Sequence, residues 1–401
     1  MTKVIYIGQF NDSSGYGNAA RNYLKCLDMF LGQHDDKVDF KVIPQNFEKQ
    51  NSCTDEENEL INKYRLQGDA NDFMAYLDSN TRVICHLVPT AFANAKFWDP
   101  IIDRVGKDNI YSSLAWEPDT LPSNWLQYYE KYVGNVIVYC DFTRQCFLNH
   151  GFAEENVHLV PHPIFDIEST DAETLNRDKF EIFSMSQWNP RKGWDILIPA
   201  VCHEFFHHDD VELTIKTFRN EHVGADPRSE KAEVIKEISE LKNKITHYGN
   251  KSGVRINVVC GLVAKSYISE LFKKSSVYCL PTRCDSFGLT IGEAVISNRT
   301  AIVPSLGGHR DYFDDKNPYL VDSSMEPCMI DNPMFSTLDM SLVETDYRDL
   351  RHKLRMAYEA WKRSPDELAA QAVSNYQYAR EEVINNEKIF SKFMKSVGVQ
   401  V

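Results

Sequence analysis

No window of this 401-residue chain approaches the roughly 18 consecutive apolar residues that a membrane-spanning helix requires. Its start, MTKVIYIGQF, lacks the charged opening, apolar stretch and small-residue cleavage site of a secretory signal. No Cys-x-x-Cys pair occurs. The ten cysteines stand singly, several inside apolar runs such as Ile256–Cys260 or Val277–Leu280, so neither a zinc cluster nor a disulfide frame is indicated. A cytoplasmic, reducing setting is the expectation. Positive charge is short: Lys+Arg 44 against Asp+Glu 58 leaves a net charge of −14. That balance argues against a nucleic-acid partner, although a local basic groove could hide inside it. No basic amphipathic helix stands out, so a soluble partner is preferred, with peripheral attachment to a membrane still compatible. Short-period repeats and low-complexity tracts are absent too.

What the chain does have is core-forming capacity. Hydrophobic residues make up 43% and charged residues 25%, enough for two domains of ordinary size. Short apolar runs alternate with helical patterns from end to end, the mark of a parallel sheet covered by helices. Val4–Ile7, Lys41–Ile43, Val83–Leu87, Ile110–Leu114 and Asn135–Tyr139 read as strands, with a helix over Ala19–Phe30. A break follows at Val160-Pro161-His162-Pro163, and the polar stretch Asp166–Arg177 suits a connector. The pattern restarts with strands at Phe180–Met185, Glu212–Phe218, Arg255–Cys260, Val277–Leu280, Ala301–Val303 and Tyr319–Val321. Helices are expected over Trp194–Phe206 and Ser229–His247, with Ser229 as a cap.

The most informative segment is Leu280-Pro-Thr-Arg-Cys-Asp285-Ser-Phe-Gly288-Leu-Thr-Ile-Gly-Glu293. It reads as a strand end, a turn and a helix start, where unpaired backbone N–H groups and the helix dipole favour an anion such as phosphate. Asp285 precedes the turn and Glu293 lies about one turn inside, placed to hydrogen-bond hydroxyls on either side of a bound phosphate. A plainer reading competes: Thr290-x-x-Glu293 spells a capping box. Asn189-Pro190-Arg191-Lys192-Gly193 follows an earlier strand and brings two cations to a loop, although such a pair is often only solvated surface.

Taken together, the PRKG turn, then LPTRCDSFGLTIGEA, then SLGGHRD resemble glycosyltransferase family 4. The likeness is strong over about 180–315 and weaker over 1–165. It implies a GT-B fold: α/β, two Rossmann-like doubly wound parallel-sheet domains facing across a cleft. The expected division is an acceptor-binding domain over 1–168, joined by a final helix at about 385–401, and a nucleotide-sugar domain over 169–384. The implied reaction moves a sugar from a nucleotide-sugar donor to an acceptor hydroxyl on a carbohydrate or other molecule. It retains the anomeric configuration and needs neither a cofactor nor a metal ion. No Asp-x-Asp is present to clamp a metal–diphosphate complex.

By that resemblance Lys192, with Arg191, neutralises the donor diphosphate. Asp285 and the backbone of Ser286, Phe287, Gly288 and Leu289 hold the donor sugar and phosphate, and Glu293 grips the ribose. Gly307 and Gly308 line the same place, and Leu262 and Val263 lie against the base. The family's E-x7-E pair appears here as Asp285 and Glu293. A family arginine before the Lys is missing, with Ser186 or Gln187 in its place, and Lys216, Arg219 or Arg283 could supply the charge. In the N-terminal half the glycine loop with Gly15, Tyr16 and Gly17 is implied to face the donor phosphate and acceptor. Glu117 would face the reacting sugar, with Trp116 or Trp125 as a stacking ring unless both are core. His86 is similarly placed, with a satisfied buried histidine as the alternative.

Two readings of other classes remain. One is a non-catalytic GT-B partner subunit. The other is a zinc hydrolase, since His203-Glu204-Phe-Phe-His207 spells H-E-x-x-H, with Glu230 or Glu233 nearest as a third ligand. A dinucleotide fingerprint at Gly15-x-Gly17-x-x-Ala20 is disfavoured, because polar residues separate it from the strand.

Overall fold

The computed structural model describes the chain except residues 13, 46–51, 166–177, 220–226, 248–249 and 331–338. Ser13 of the glycine loop, the connector at 166–177 and a boundary at 168/169 therefore lie outside the described residues. The chain forms two compact units, Met1–Phe165 with Val383–Val401, and Asp166–Glu382.

The first unit is built on strands β1 (Thr2–Gly8), β2 (Val38–Pro44), β3 (Thr81–His86), β4 (Ile110–Ser113), β5 (Asn135–Val138) and β6 (Val157–Leu159). They form one parallel sheet in the order β2-β1-β3-β4-β5-β6. Val4, Ile5, Tyr6 and Ile7 are all buried, as expected where helices cover both faces of a parallel sheet. The helix Gly15–Leu31 packs on the C-terminal helix Asn386–Ser396, where Phe30 meets Phe390 at 5.1 Å between ring centroids.

The second unit repeats the plan. Strands β7 (Phe180–Met185) and β8 (Val211–Thr217) come first, then the short pair β9 (Thr246–His247) and β10 (Asn250–Lys251). β11 (Arg255–Cys260), β12 (Val277–Cys279), β13 (Thr300–Pro304) and β14 (Leu320–Val321) follow. The main sheet runs β11-β8-β7-β12-β13-β14, all parallel. Phe180, Ile182, Leu213 and Ile215 of the sheet meet Leu197 and Val201 of the helix Trp194–Glu204 and Leu354 and Trp361 of the helix Tyr347–Arg363.

Helix ends differ from expectation in two places. Pro227 opens the helix Pro227–Lys244, so Ser229 lies inside the first turn and is not its cap. Proline suits that first position because its missing N–H would have had no partner there. The helix after the PRKG turn stops at Glu204, and His207 falls in the turn beyond it. Among the described residues, no helix is long and apolar enough to cross a membrane.

Candidate functional site

In an open parallel sheet, ligands bind beyond the carboxyl ends of the strands, where the strand order reverses. In the second unit that point lies between β7 and β12, which pair as Val277↔Ile182 and Tyr278↔Phe183. The loop after β7 carries Arg191 and Lys192, and the loop after β12 carries Asp285. Two segments 93 residues apart are thereby brought to one place.

Their fit is locked by backbone. Gly193 sits at φ 71°, ψ 19°, and a Cβ there would stand 1.9 Å from the Pro281 carbonyl oxygen. Only glycine allows that approach. Asn189 Oδ1 accepts from the Arg191 amide at 2.9 Å and starts the one-turn Pro190–Lys192 helix. Trp188 and Trp194 stack at 4.3 Å and close the loop from behind. The Arg283 amide donates to the Arg191 carbonyl at 2.8 Å, and Arg191 Nη1 donates to the Cys284 carbonyl at 2.6 Å.

Charge is concentrated here. Lys192 Nζ donates to Asp285 Oδ1, the two side chains being 12% and 13% exposed. Burial pushes the Asp285 carboxyl up, but Lys192 and Arg191 outweigh it and hold the group below the ordinary carboxylate value. Among the described residues, buried Asp285 Oδ2 has no hydrogen-bond partner. His309 lies alongside, fully buried. Its Nε2 is 2.9 Å from the Pro304 carbonyl and so carries the proton, leaving Nδ1 as a buried acceptor with no partner among the described residues. Burial lowers the His309 pKa, which keeps the ring neutral. The Gly308 amide donates to the Asp285 carbonyl at 3.0 Å, which sets Gly308 beside the acid.

The helix Leu289–Ile296 begins directly after this acid. Its cap is Gly288, left-handed at φ 70°, with no side-chain cap. Thr290 is therefore the second helical residue, and its hydroxyl lies 2.9 Å from the Tyr278 hydroxyl. The capping-box reading of Thr290 and Glu293 is thus wrong: Thr290 is inside the helix and braces it against β12. Among the described residues, the amides of Gly288, Leu289 and Thr290 donate to no carbonyl outside the helix. They are the groups that attract an anion at a helix start. Ser286 and Phe287 are buried, and the Phe287 ring packs on Tyr312 at 5.0 Å.

Glu293 sits one turn further along, half-buried. Leu262 stands 77% exposed after β11, and Val263 beside it is half-buried. Of the three cations proposed for the missing arginine, two are engaged elsewhere. Arg283 forks onto Asp195 at 2.8 and 3.0 Å and reaches Glu344 at 2.8 Å. Arg219 pairs with Glu237 and Glu233. Lys216 is the exception.

In the first unit the order reverses between β1 and β3. Gly15 opens the helix Gly15–Leu31 with Ser14 as cap, Ser14 Oγ accepting from the Gly17 amide at 3.1 Å. The Tyr16 hydroxyl donates to the Ala115 carbonyl at 3.1 Å, and Glu117 acts on that phenol electrostatically. This brings the glycine loop and Glu117 together. Trp116 and Trp125 are not stacking platforms: they are 2% and 3% exposed, packed edge to face at 4.5 Å. Large apolar rings filled the gap under the loop rather than facing solvent. His86 ends β3 fully buried, with Nδ1 2.5 Å from the Tyr6 hydroxyl and Nε2 without a partner among the described residues. It is therefore half satisfied, and burial pushes its pKa down to about 3.

The H-E-x-x-H match has no metal geometry. His203 bonds the Tyr347 hydroxyl, Glu204 is held by Arg351 at 3.0 Å and Arg355 at 2.8 Å, and Glu230 accepts from the Arg219 amide. The helix ends at Glu204, and His203 and His207 line one cavity with His247 and Arg351, but Tyr347 takes His203 and the two arginines take Glu204. Among the described residues no group of three His, Cys, Asp or Glu could hold a metal ion.

No protein-family model matches the chain, and no curated protein matches it by sequence. Solved structures do. A point mutant of S. aureus TarM, in complex with Fondaparinux, alpha-GlcNAc-glycerol and UDP, is 16% identical with a TM-score of 0.54 over 84% of this chain. The match takes in 60% of TarM's own length. Anabaena Alr3699/HepE, in complex with UDP and glucose, is 13% identical with a TM-score of 0.62, over 99% of this chain and 100% of its own. OtsA, a trehalose-6-phosphate synthase, is 12% identical with a TM-score of 0.62 over the whole of both chains. At these identities the likeness is one of fold, the GT-B arrangement of two six-stranded parallel sheets with helices.

Proposed function

We propose that this protein is a retaining glycosyltransferase that moves a sugar from a nucleotide-sugar donor to a hydroxyl of a carbohydrate or other acceptor. One observation carries the reading: cations Arg191 and Lys192, the acid Asp285 and the open amides of the helix Leu289–Ile296 converge at the topological switch point of one sheet. Neighbours of the same fold are crystallised with UDP, with UDP-glucose, and with UDP and GlcNAc, which supports a nucleotide-sugar ligand.

The hard step is breaking the bond between the anomeric carbon and the diphosphate oxygen, because its electron pair leaves on an already charged group. Amides of Gly288, Leu289 and Thr290 and the two cations stabilise that charge without reorganising, as preorganised electrostatics require. This supply of positive charge is what supports a reaction without a metal ion or other cofactor. Asp285, oriented by Lys192, has a buried oxygen to accept a donor-sugar hydroxyl. Glu293 accepts from the ribose. The departing phosphate takes the acceptor hydroxyl's proton as the new glycosidic bond forms on the face the diphosphate leaves, which retains the configuration. The first unit, with Tyr16 and Glu117 at its glycine loop, holds the acceptor.

A panel of UDP-, ADP- and GDP-sugars read by thermal shift tests the donor assignment, because a ligand that binds only the folded state raises its melting temperature. At least one donor is expected to raise it and to yield a glycosylated product whose anomeric configuration NMR shows unchanged. No shift across the panel sinks the proposal.

A further inference from the structure

Lys216 is the last residue but one of β8, opposite Met185 of β7 and Val259 of β11. It is 5% exposed, yet among the described residues its ammonium makes no hydrogen bond and no ion pair. Its one polar contact is the face of the Phe218 ring, 5.4 Å from the centroid. Its stem is buried while the charged head stays open to a ligand.

Three titratable groups act on it: Cys260 of β11, Glu230 of the helix Pro227–Lys244 and Glu293 of the helix Leu289–Ile296. The Cys260 thiol is pushed up by burial and is neutral near pH 7. Glu230 accepts from the Arg219 amide. Glu293 is tied to the neighbourhood of Lys216 through Tyr278, whose hydroxyl donates to the Met185 carbonyl at 3.0 Å and lies 2.9 Å from Thr290 Oγ1, one helical turn before Glu293. An ammonium and a carboxylate thus share one neighbourhood, and among the described residues the ammonium pairs with no carboxylate. A vicinal diol fits between such groups, since each hydroxyl both donates and accepts.

We propose that Lys216 and Glu293 hold the ribose diol of the nucleotide between them, the carboxylate accepting from one hydroxyl and the ammonium donating to the other. This rests on the nucleotide-sugar reading of the site. It makes Lys216 a specificity residue for ribonucleotides.

The test uses the full chain and calorimetric titration with UDP, ADP and GDP, then the 2′,3′-dideoxy form of whichever binds. The unsubstituted protein is expected to prefer the ribonucleotide by about 10- to 100-fold, as a lost hydrogen bond to a charged group implies. Lys216→Met is expected to shrink that ratio at least about tenfold, with a melting temperature unchanged or higher, and Lys216→Arg to restore part of it. If Lys216→Met does not fold, Lys216→Gln is put through the same ratio. Binding of none of the three diphosphates overturns the functional reading itself. A ratio near one in the unsubstituted protein, or a variant that keeps the whole ratio, overturns the role of Lys216 and leaves that reading standing.

Discussion

Asp285 and Lys192 show how one contact serves stability and chemistry at once. Each neutralises the other at 12–13% exposure, so removing one strands the other. Lys192→Ala is expected to cost about 3–5 kcal/mol of stability, measured by chemical denaturation, as broken buried pairs do. Turnover per folded molecule should fall a further 100- to 1000-fold or so, the usual loss when one donor to a developing anion is removed. The double variant Lys192→Met, Asp285→Asn should recover stability without recovering turnover. The pair also has a pH signature. Asp285 has a lower pKa folded than unfolded, so its stabilisation is fully present above about pH 4, the ordinary carboxylate value, and is lost as pH falls through the lower folded value. A denaturation series from pH 6 to pH 2 should show this acid limb, and Lys192→Met should flatten it. Both residues were legible in the sequence as motif letters. Their mutual pairing was not, because 93 residues of intervening chain say nothing of which two loops meet.

At the scale of elements, two glycines decide whether the loops can close. Gly193→Ala would drive a methyl into the Pro281 carbonyl and hold a side chain at positive φ, and Gly288→Ala would meet the His309 side chain 2.9 Å away. Each is expected to cost about 1–3 kcal/mol, with reduced nucleotide affinity by titration. Gly32→Ala is the control. That residue has ordinary helical backbone and nothing within 4 Å, so a gain of up to about 1 kcal/mol is expected. Strand and helix positions followed from apolar runs and periodicity. The helix starts did not. Thr290-x-x-Glu293 and Ser229 are both sound caps in isolation, but Gly288 caps the one helix and Pro227 opens the other, each two residues earlier.

For the whole molecule, the last helix belongs to the first unit although 217 residues of the second unit separate it from the rest. Phe393 is buried there against Tyr6 and Tyr23, with centroids at 6.3 and 5.9 Å. Phe393→Ala is expected to cost about 3–5 kcal/mol, as large-to-small core substitutions do. Calorimetry should show this as a lower melting temperature for the first unit, with nucleotide binding by the second unchanged. A result in which nucleotide affinity falls equally would mean that the donor site is not confined to the second unit.

Alternating apolar runs and helical periods were enough by themselves to specify an α/β chain with two parallel sheets, since a buried parallel strand must be apolar on both faces and a covering helix on one. Residue order likewise exposed the phosphate-seeking letters at 191–192 and 285–293. Tertiary structure alone decided which charges are spoken for: Arg283 and Arg219 are held by carboxylates while, among the described residues, Lys216 is not, Trp116 and Trp125 are core, and His203 and Glu204 of H-E-x-x-H are taken up by Tyr347, Arg351 and Arg355. Partnership between side chains depends on distances that strand order and loop closure set, and no local pattern encodes them.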